Sequence, residues 1–172
     1  MKVSIARFAP LLVALIVFGT PALAGDPPYL KLAEALGTPQ LVNSVGPSDH
    51  SYLQLKFVPD GESGDRYTKL LTISILKVAP TAAETAAAGR GVIVRLRDAI
   101  RERKAEIETF DESPLEPVTL YYAFSGDGVV SKGVVYAPTM GYVTAAQIDA
   151  RNGGTVTSAD VTRLKSLLSS AH

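Results

Sequence analysis

The sequence predicts an α+β fold, an antiparallel β-sheet of about five to six strands with helices packed on it. Three observations carry this. Apolar and polar residues alternate at period two over several short runs. Neighbouring runs are joined by polar, Gly-containing turns, as in hairpins, rather than by helical crossovers. In the middle of the chain and again at its end, the apolar period lengthens to that of a helix.

Taken in order, Tyr29, Leu30, Leu32, Ala33 and Leu36 recur at helical spacing until Gly37, a short helix behind a Gly25-Asp26-Pro27-Pro28 tether. Gly46-Pro47-Ser48-Asp49 reads as a loop. Leu53, Leu55 and Phe57 then alternate with Tyr52, Gln54 and Lys56 in a half-buried strand. The polar turn from Pro59 to Asp65 leads to a second strand, where Leu71, Ile73 and Ile75 alternate with Thr72 and Ser74, and the pair should form an antiparallel hairpin. Thr81 followed by Glu84 is a capping-box start, and Val92, Leu96, Ala99 and Ile100 mark the apolar stripe of a helix running to Lys104. Gly89 and Gly91 lie inside it, each costing about 1 kcal/mol relative to alanine, so the helix is open to a break or kink there. Period two returns over residues 105–111, 117–125 and 129–136, with Val118, Leu120, Tyr122 and Phe124 on one face. Ser125-Gly126-Asp127-Gly128 joins the last two of these, because Asp-Gly accepts the positive φ of a tight hairpin. A further strand over 141–149 precedes a last helix from Ser158 to Ser169, with Val161, Leu164 and Leu168 as its stripe.

The first 24 residues speak to location. Lys2 and Arg7 precede the apolar run Leu11 to Phe18, and Ala22-Leu23-Ala24 has the small-x-small pattern that a signal peptidase cuts. The run is too short to span a bilayer, which predicts a cleaved signal peptide over 1–24 and a periplasmic or secreted protein. Residues 25–44 then form the tether and short helix, and 45–172 a single α+β domain. The whole chain balances 17 basic against 17 acidic residues, and loss of Lys2 and Arg7 leaves a slightly acidic remainder. That balance points away from a nucleic-acid or anionic-membrane partner. With no cysteine there is no disulfide, thiolate metal site, cysteine nucleophile or lipidation cysteine.

Phe57-Val58-Pro59-Asp60-Gly61-Glu62, followed after a short gap by Tyr67-Thr68-Lys69-Leu70-Leu71-Thr72, resembles a segment of small exported bacterial proteins of the PsbP-like αβα-sandwich superfamily. The order of elements over residues 50–170 is compatible with that fold. The resemblance implies a non-catalytic scaffold that binds partners.

His50 beside Asp49 is the one histidine placed to act as a general base, His172 being the last residue, and no Gly-x-Ser-x-Gly elbow accompanies it. Ser74-Ile75-Leu76-Lys77 has the Ser-x-x-Lys spacing of acyl-serine enzymes, but on a strand residues three apart face opposite sides. The stretch Asp149 to Asp160 looks like a calcium loop, yet Arg151 and Gly153 stand where oxygen ligands belong, and a Gly-Gly turn with a Thr or Ser helix cap explains the same residues. Asp60, Glu62, Asp65, Asp111 and Glu112 are turn acids that would serve a glycosidase only if two came within about 5–10 Å. The basic stretch Arg95 to Lys104 reads as the wet face of the long helix.

The expected function is an exported, non-catalytic interaction or accessory domain of the bacterial envelope that binds a protein partner, without catalytic residues, metal ligands or cofactor. Its expected contacts are Tyr52, Tyr67, Tyr121, Tyr136 and Tyr142, since tyrosine offers large contact area with few rotors. The alternative is an envelope-polymer hydrolase using a carboxylate pair.

Overall fold

The computed structural model describes residues 28–46, 51–78, 81–113, 116–138 and 141–170, without the side chains of residue 28 and residues 167–170. The expected leader and its expected cleavage site, the residues before Pro28, the His50 loop, the Leu168 side chain and His172 lie outside the described residues.

The chain runs α1 (Pro28–Ala35), β1 (Gln40–Val45), β2 (Tyr52–Val58), β3 (Lys69–Lys77), α2 (Ala82–Glu102), β4 (Glu106–Ser113), β5 (Val118–Gly126), β6 (Val129–Ala137), β7 (Tyr142–Ala150) and α3 (Ser158–Ser170). The α+β, antiparallel reading of the sequence describes this arrangement. The strand number needs correction: the sheet has seven strands, in the order β1-β2-β3-β7-β6-β5-β4, rather than five to six. The added strand is β1. It escapes a period-two reading because its register on β2 shifts between Leu41 and Asn43, which breaks the alternation, and because it is exposed along most of its length.

Two meanders make the sheet. β1-β2-β3 forms one and β4-β5-β6-β7 the other, and they meet where β3 pairs with β7 from Lys69↔Ala150 to Lys77↔Tyr142. Because alternate residues point to opposite faces, this register sorts the side chains into two sets. On one face, Phe57, Leu71, Ile73, Val134, Ala146 and Ile148 are buried under Leu32 and Leu36 of α1 and Leu164 of α3. On the other, Val118, Leu120, Tyr122, Val135 and Val143 are buried under Ala86, Ile93 and Ile100 of α2.

Helix α2 begins as expected. Thr81 caps it, accepting a hydrogen bond from the Glu84 backbone N–H. It runs unbroken through Gly89 and Gly91, contrary to the kink the glycines invited. Gly89 is there for close approach: a Cβ on it would lie 2.6 Å from the Ala137 Cβ and 3.5 Å from a Val118 methyl. The helix thus lies against β5 and β6 at a distance no larger residue allows.

The other helices are tied by polar groups. Thr157 and Asp160 exchange hydrogen bonds as a cap for α3, at 2.9 and 3.2 Å, so the residues that resembled a calcium loop end in a helix cap. Asp160 also pairs with Lys69 at 3.1 Å. Burial would raise the Asp160 pKa, but the Thr157 backbone N–H and Lys69 outweigh it and hold the carboxyl below its ordinary value. Lys69 and Arg163 donate to the carbonyls of Leu36 and Ala35, satisfying acceptors that the end of α1 leaves open.

Candidate functional site

Helix α2 covers only part of its face of the sheet. Beyond it, β2, β3 and β7 present polar side chains: Gln54 and Lys56, Thr72 and Ser74, Gln147 and Asp149. These residues floor a cleft of about 580 Å³, and Val92, Leu96, Ala99 and Ile100 of α2 form its apolar wall. The expected core stripe of α2 is thereby corrected. Ile100 is buried, but Val92 and Leu96 are half-buried and Ala99 is exposed, and the buried places belong to Ala86, Gly89 and Ile93.

The centre of the floor is a hydrogen-bonded chain across three strands. The Tyr122 hydroxyl donates to Gln147 Oε1 at 2.8 Å, and Gln147 Nε2 donates to Asp149 Oδ1 at 2.6 Å. Ser131 donates to the same Oδ1, also at 2.6 Å. Tyr122 can reach β7 because Gly133 stands between them on β6; a Cβ at Gly133 would come within 2.4 Å of the tyrosine ring and 2.8 Å of the Ala146 carbonyl. Burial pushes the Tyr122 hydroxyl far above its ordinary pKa and, to a smaller extent, raises that of Asp149, while Ser131, Gln147, Arg103 and Lys56 pull Asp149 back.

Cations surround this acid. Lys56, Arg103 and Arg151 all line the cleft. Arg151 is the most firmly held: its guanidinium lies 3.9 Å over the Tyr67 ring, and its Nη2 donates to the Asp65 carbonyl. Its Nε is buried with no hydrogen-bond partner among the described residues.

The Tyr67 side of the cleft is built by the segment that carried the family resemblance. The Glu62 carboxylate accepts from the Thr68 N–H at 2.6 Å and from its hydroxyl at 2.8 Å, closing the loop between β2 and β3. Val58, Tyr67 and Leu70 pack together beneath it, with Val42 of β1 alongside. Asn152 donates to the Tyr67 carbonyl at 3.2 Å, so the turn after β7 is fastened to this loop.

The five tyrosines divide between the faces. Tyr52 and Tyr67 lie on the cleft side: Tyr52 accepts from Gln54 at 2.9 Å, and Tyr67 is buried. Tyr121, Tyr136 and Tyr142 point to the α1/α3 side. Tyr121 and Tyr136 line a second groove of about 640 Å³, where Lys165 sits 4.1 Å over the Tyr121 ring. Tyr136 is largely buried, whereas Tyr142 is half exposed at the start of β7. Burial raises the Tyr67, Tyr121 and Tyr136 pKa values.

The expected turn acids are dispersed as well, and Asp111 and Glu112 lie within β4 rather than in a turn. Asp65 lines the cleft with Asp149, Glu62 is occupied by Thr68, Asp111 borders the second groove, and Glu112 pairs with Arg97 at 3.3 Å. Ser74 faces the cleft and Lys77 the opposite side, as their strand spacing requires. Among the described residues no three His, Cys, Asp or Glu side chains gather where they could hold a metal ion.

No family model, curated protein or solved structure matches the chain. The sequence reading overlooked Asp149 as a cleft residue, although a signal existed: Gln147, Asp149 and Arg151 place polar groups on every second position of an otherwise apolar strand end.

Proposed function

We propose that this chain is an exported, non-catalytic accessory domain of the bacterial envelope that binds a protein partner. The leader over 1–24 supports a periplasmic or secreted location, and no described helix is long and apolar enough to cross a membrane. Helices on both faces of one antiparallel sheet, together with the Glu62–Thr68 loop, favour kinship with the PsbP-like αβα sandwiches. The near-neutral charge favours a protein over a nucleic acid.

The observation that carries the reading is the contrast between the two sheet edges. β4 bears Glu106, Glu108, Asp111 and Glu112, charges that discourage pairing with another strand. β1, Gln-Leu-Val-Asn-Ser-Val, carries none, and exposes Leu41 and Val45 by about half. An uncharged strand with no partner strand on its outer side among the described residues suits an added strand from a partner. Of the five tyrosines, Tyr52 on β2 and Tyr67, packed with Val42 of β1, lie nearest this edge, whereas Tyr142 sits on β7 beyond β3.

The test uses the mature protein as bait on its own envelope extract, beside a Leu41→Lys/Val45→Lys variant. Because both positions are exposed, the variant should unfold within about 0.5 kcal/mol of the parent. The captured partner should be lost from it; its retention would refute the β1 edge. The hydrolase reading draws on Asp65 and Asp149 lining one cleft. It requires cleavage of an envelope polymer by the parent protein and its abolition in Asp149→Asn.

A further inference from the structure

Independently of the β1 edge, we propose that the cleft beside α2 is a binding site for a sugar acid, a hydroxylated ring bearing a carboxylate. Its volume of about 580 Å³ falls within the range of small-molecule sites, about 300–1,000 Å³. Its chemistry is two-sided. The floor offers amides and hydroxyls from Gln54, Thr72 and Gln147, groups that both donate and accept and so match sugar hydroxyls. The wall of Val92, Leu96 and Ile100 offers aliphatic surface for the C–H face of a ring.

The charges select the acid. Three cations, Lys56, Arg103 and Arg151, line the cleft against Asp149 and the exposed Asp65. Arg151 supplies the deciding detail, since its guanidinium is held over the Tyr67 ring and by the Asp65 carbonyl and the residue lines the cleft. A guanidinium already held in place can take up a ligand carboxylate in a charge-assisted bond with little further loss of freedom. Asp149 supplies the complementary half. Its Oδ1 is taken by Ser131 and Gln147, but its Oδ2 has no hydrogen bond among the described residues and is open to a sugar hydroxyl. Asp149 and Arg151 are two apart along the strand direction, so their backbones stand about 7 Å apart on one side of the sheet, a span that a single hexose ring bridges. Tyr67 lines the same cleft, beneath the Arg151 guanidinium.

The test is calorimetric titration of the full mature protein with D-glucuronate and D-galacturonate, and with D-glucose and hexanoate as controls that lack the carboxylate or the hydroxyls. Saturable binding of a uronate is expected, with each control at least about tenfold weaker, as loss of a charge-assisted pair or of several hydroxyl bonds should give. Arg151→Gln should weaken uronate binding about tenfold. Absence of uronate binding to the parent protein, or equal binding of glucose or hexanoate, overturns the proposal whatever the variant does. A tetragalacturonide that binds more tightly than the monomer would place the natural ligand on a polymer, and equal affinity would place it among free sugar acids. Leu41→Lys/Val45→Lys, which probes the protein-binding edge, should leave uronate binding intact.

Discussion

Asp149 shows how one side chain can work against the fold that houses it. Burial raises its pKa above the ordinary 3.8, so the folded state binds its proton more tightly than the unfolded chain does. Its stabilising share is full below the unfolded value and is lost as pH rises through the folded one. In Asp149→Asn the amide oxygen can still accept from Ser131 and Gln147, both of which use Oδ1, while the charge is gone. The variant should therefore gain in melting temperature over the parent on going from acid to neutral pH. A gap that does not change with pH would contradict this. At this scale the sequence was partly legible. The alternation of Gln147, Asp149 and Arg151 was readable, but the dependence of Tyr122 on Gly133 was not, because it joins residues on neighbouring strands whose register no local pattern declares. The tyrosines were visible as a set, yet which sheet face each takes follows from pairing, and pairing split them.

Helix α2 illustrates the same limit one level up. Its start was legible because Thr81 and Glu84 cap locally, and its length because apolar residues recur for several turns. The direction of its apolar stripe was not. The helix is apolar around more than half its girth, so the sequence could not separate the side against β5 and β6 from the side that borders an open cleft. The two glycines, alike in sequence, have different meanings here. Gly91→Ala should stabilise by about 0.5–1 kcal/mol, since its added methyl meets nothing nearer than an Arg95 nitrogen at 3.9 Å. Gly89→Ala, which drives a methyl into Ala137, should instead cost about 1–3 kcal/mol. Urea unfolding of the two variants gives both signs in one experiment, and like signs would refute the close-approach account. β4 is fixed to this helix by Arg97, which pairs with Glu112 at 3.3 Å and lies 4.5 Å over the Phe110 ring. Strand β1 was missed because its bulge between Leu41 and Asn43 breaks the alternation and most of the strand is exposed.

For the molecule as a whole, the junction of β3 with β7 decides how it behaves. Leu71, Ile73, Ala146 and Ile148 are fully buried there, and α1 and α3 rest on them together. The two meanders share this core and should unfold as one unit. Ile148→Ala is expected to cost about 2–5 kcal/mol and to shift a single urea transition without splitting it; two separable transitions would show that the meanders fold independently. The antiparallel, helix-packed plan was legible because each hairpin is local, whereas the joining of residues 69–77 to 142–150 was not, since nothing in either segment names its distant partner.

That junction also sets a timetable. Translation delivers residues 51–77 long before residues 142–151, and Gln54, Lys56 and Thr72 must wait for Gln147, Asp149 and Arg151 to arrive beside them. A chain that ends before β7 lacks the strand that joins the two meanders and so assembles neither their shared core nor the cleft floor, which makes any occupant of the cleft a reporter that synthesis has passed residue 151 and the sheet has closed.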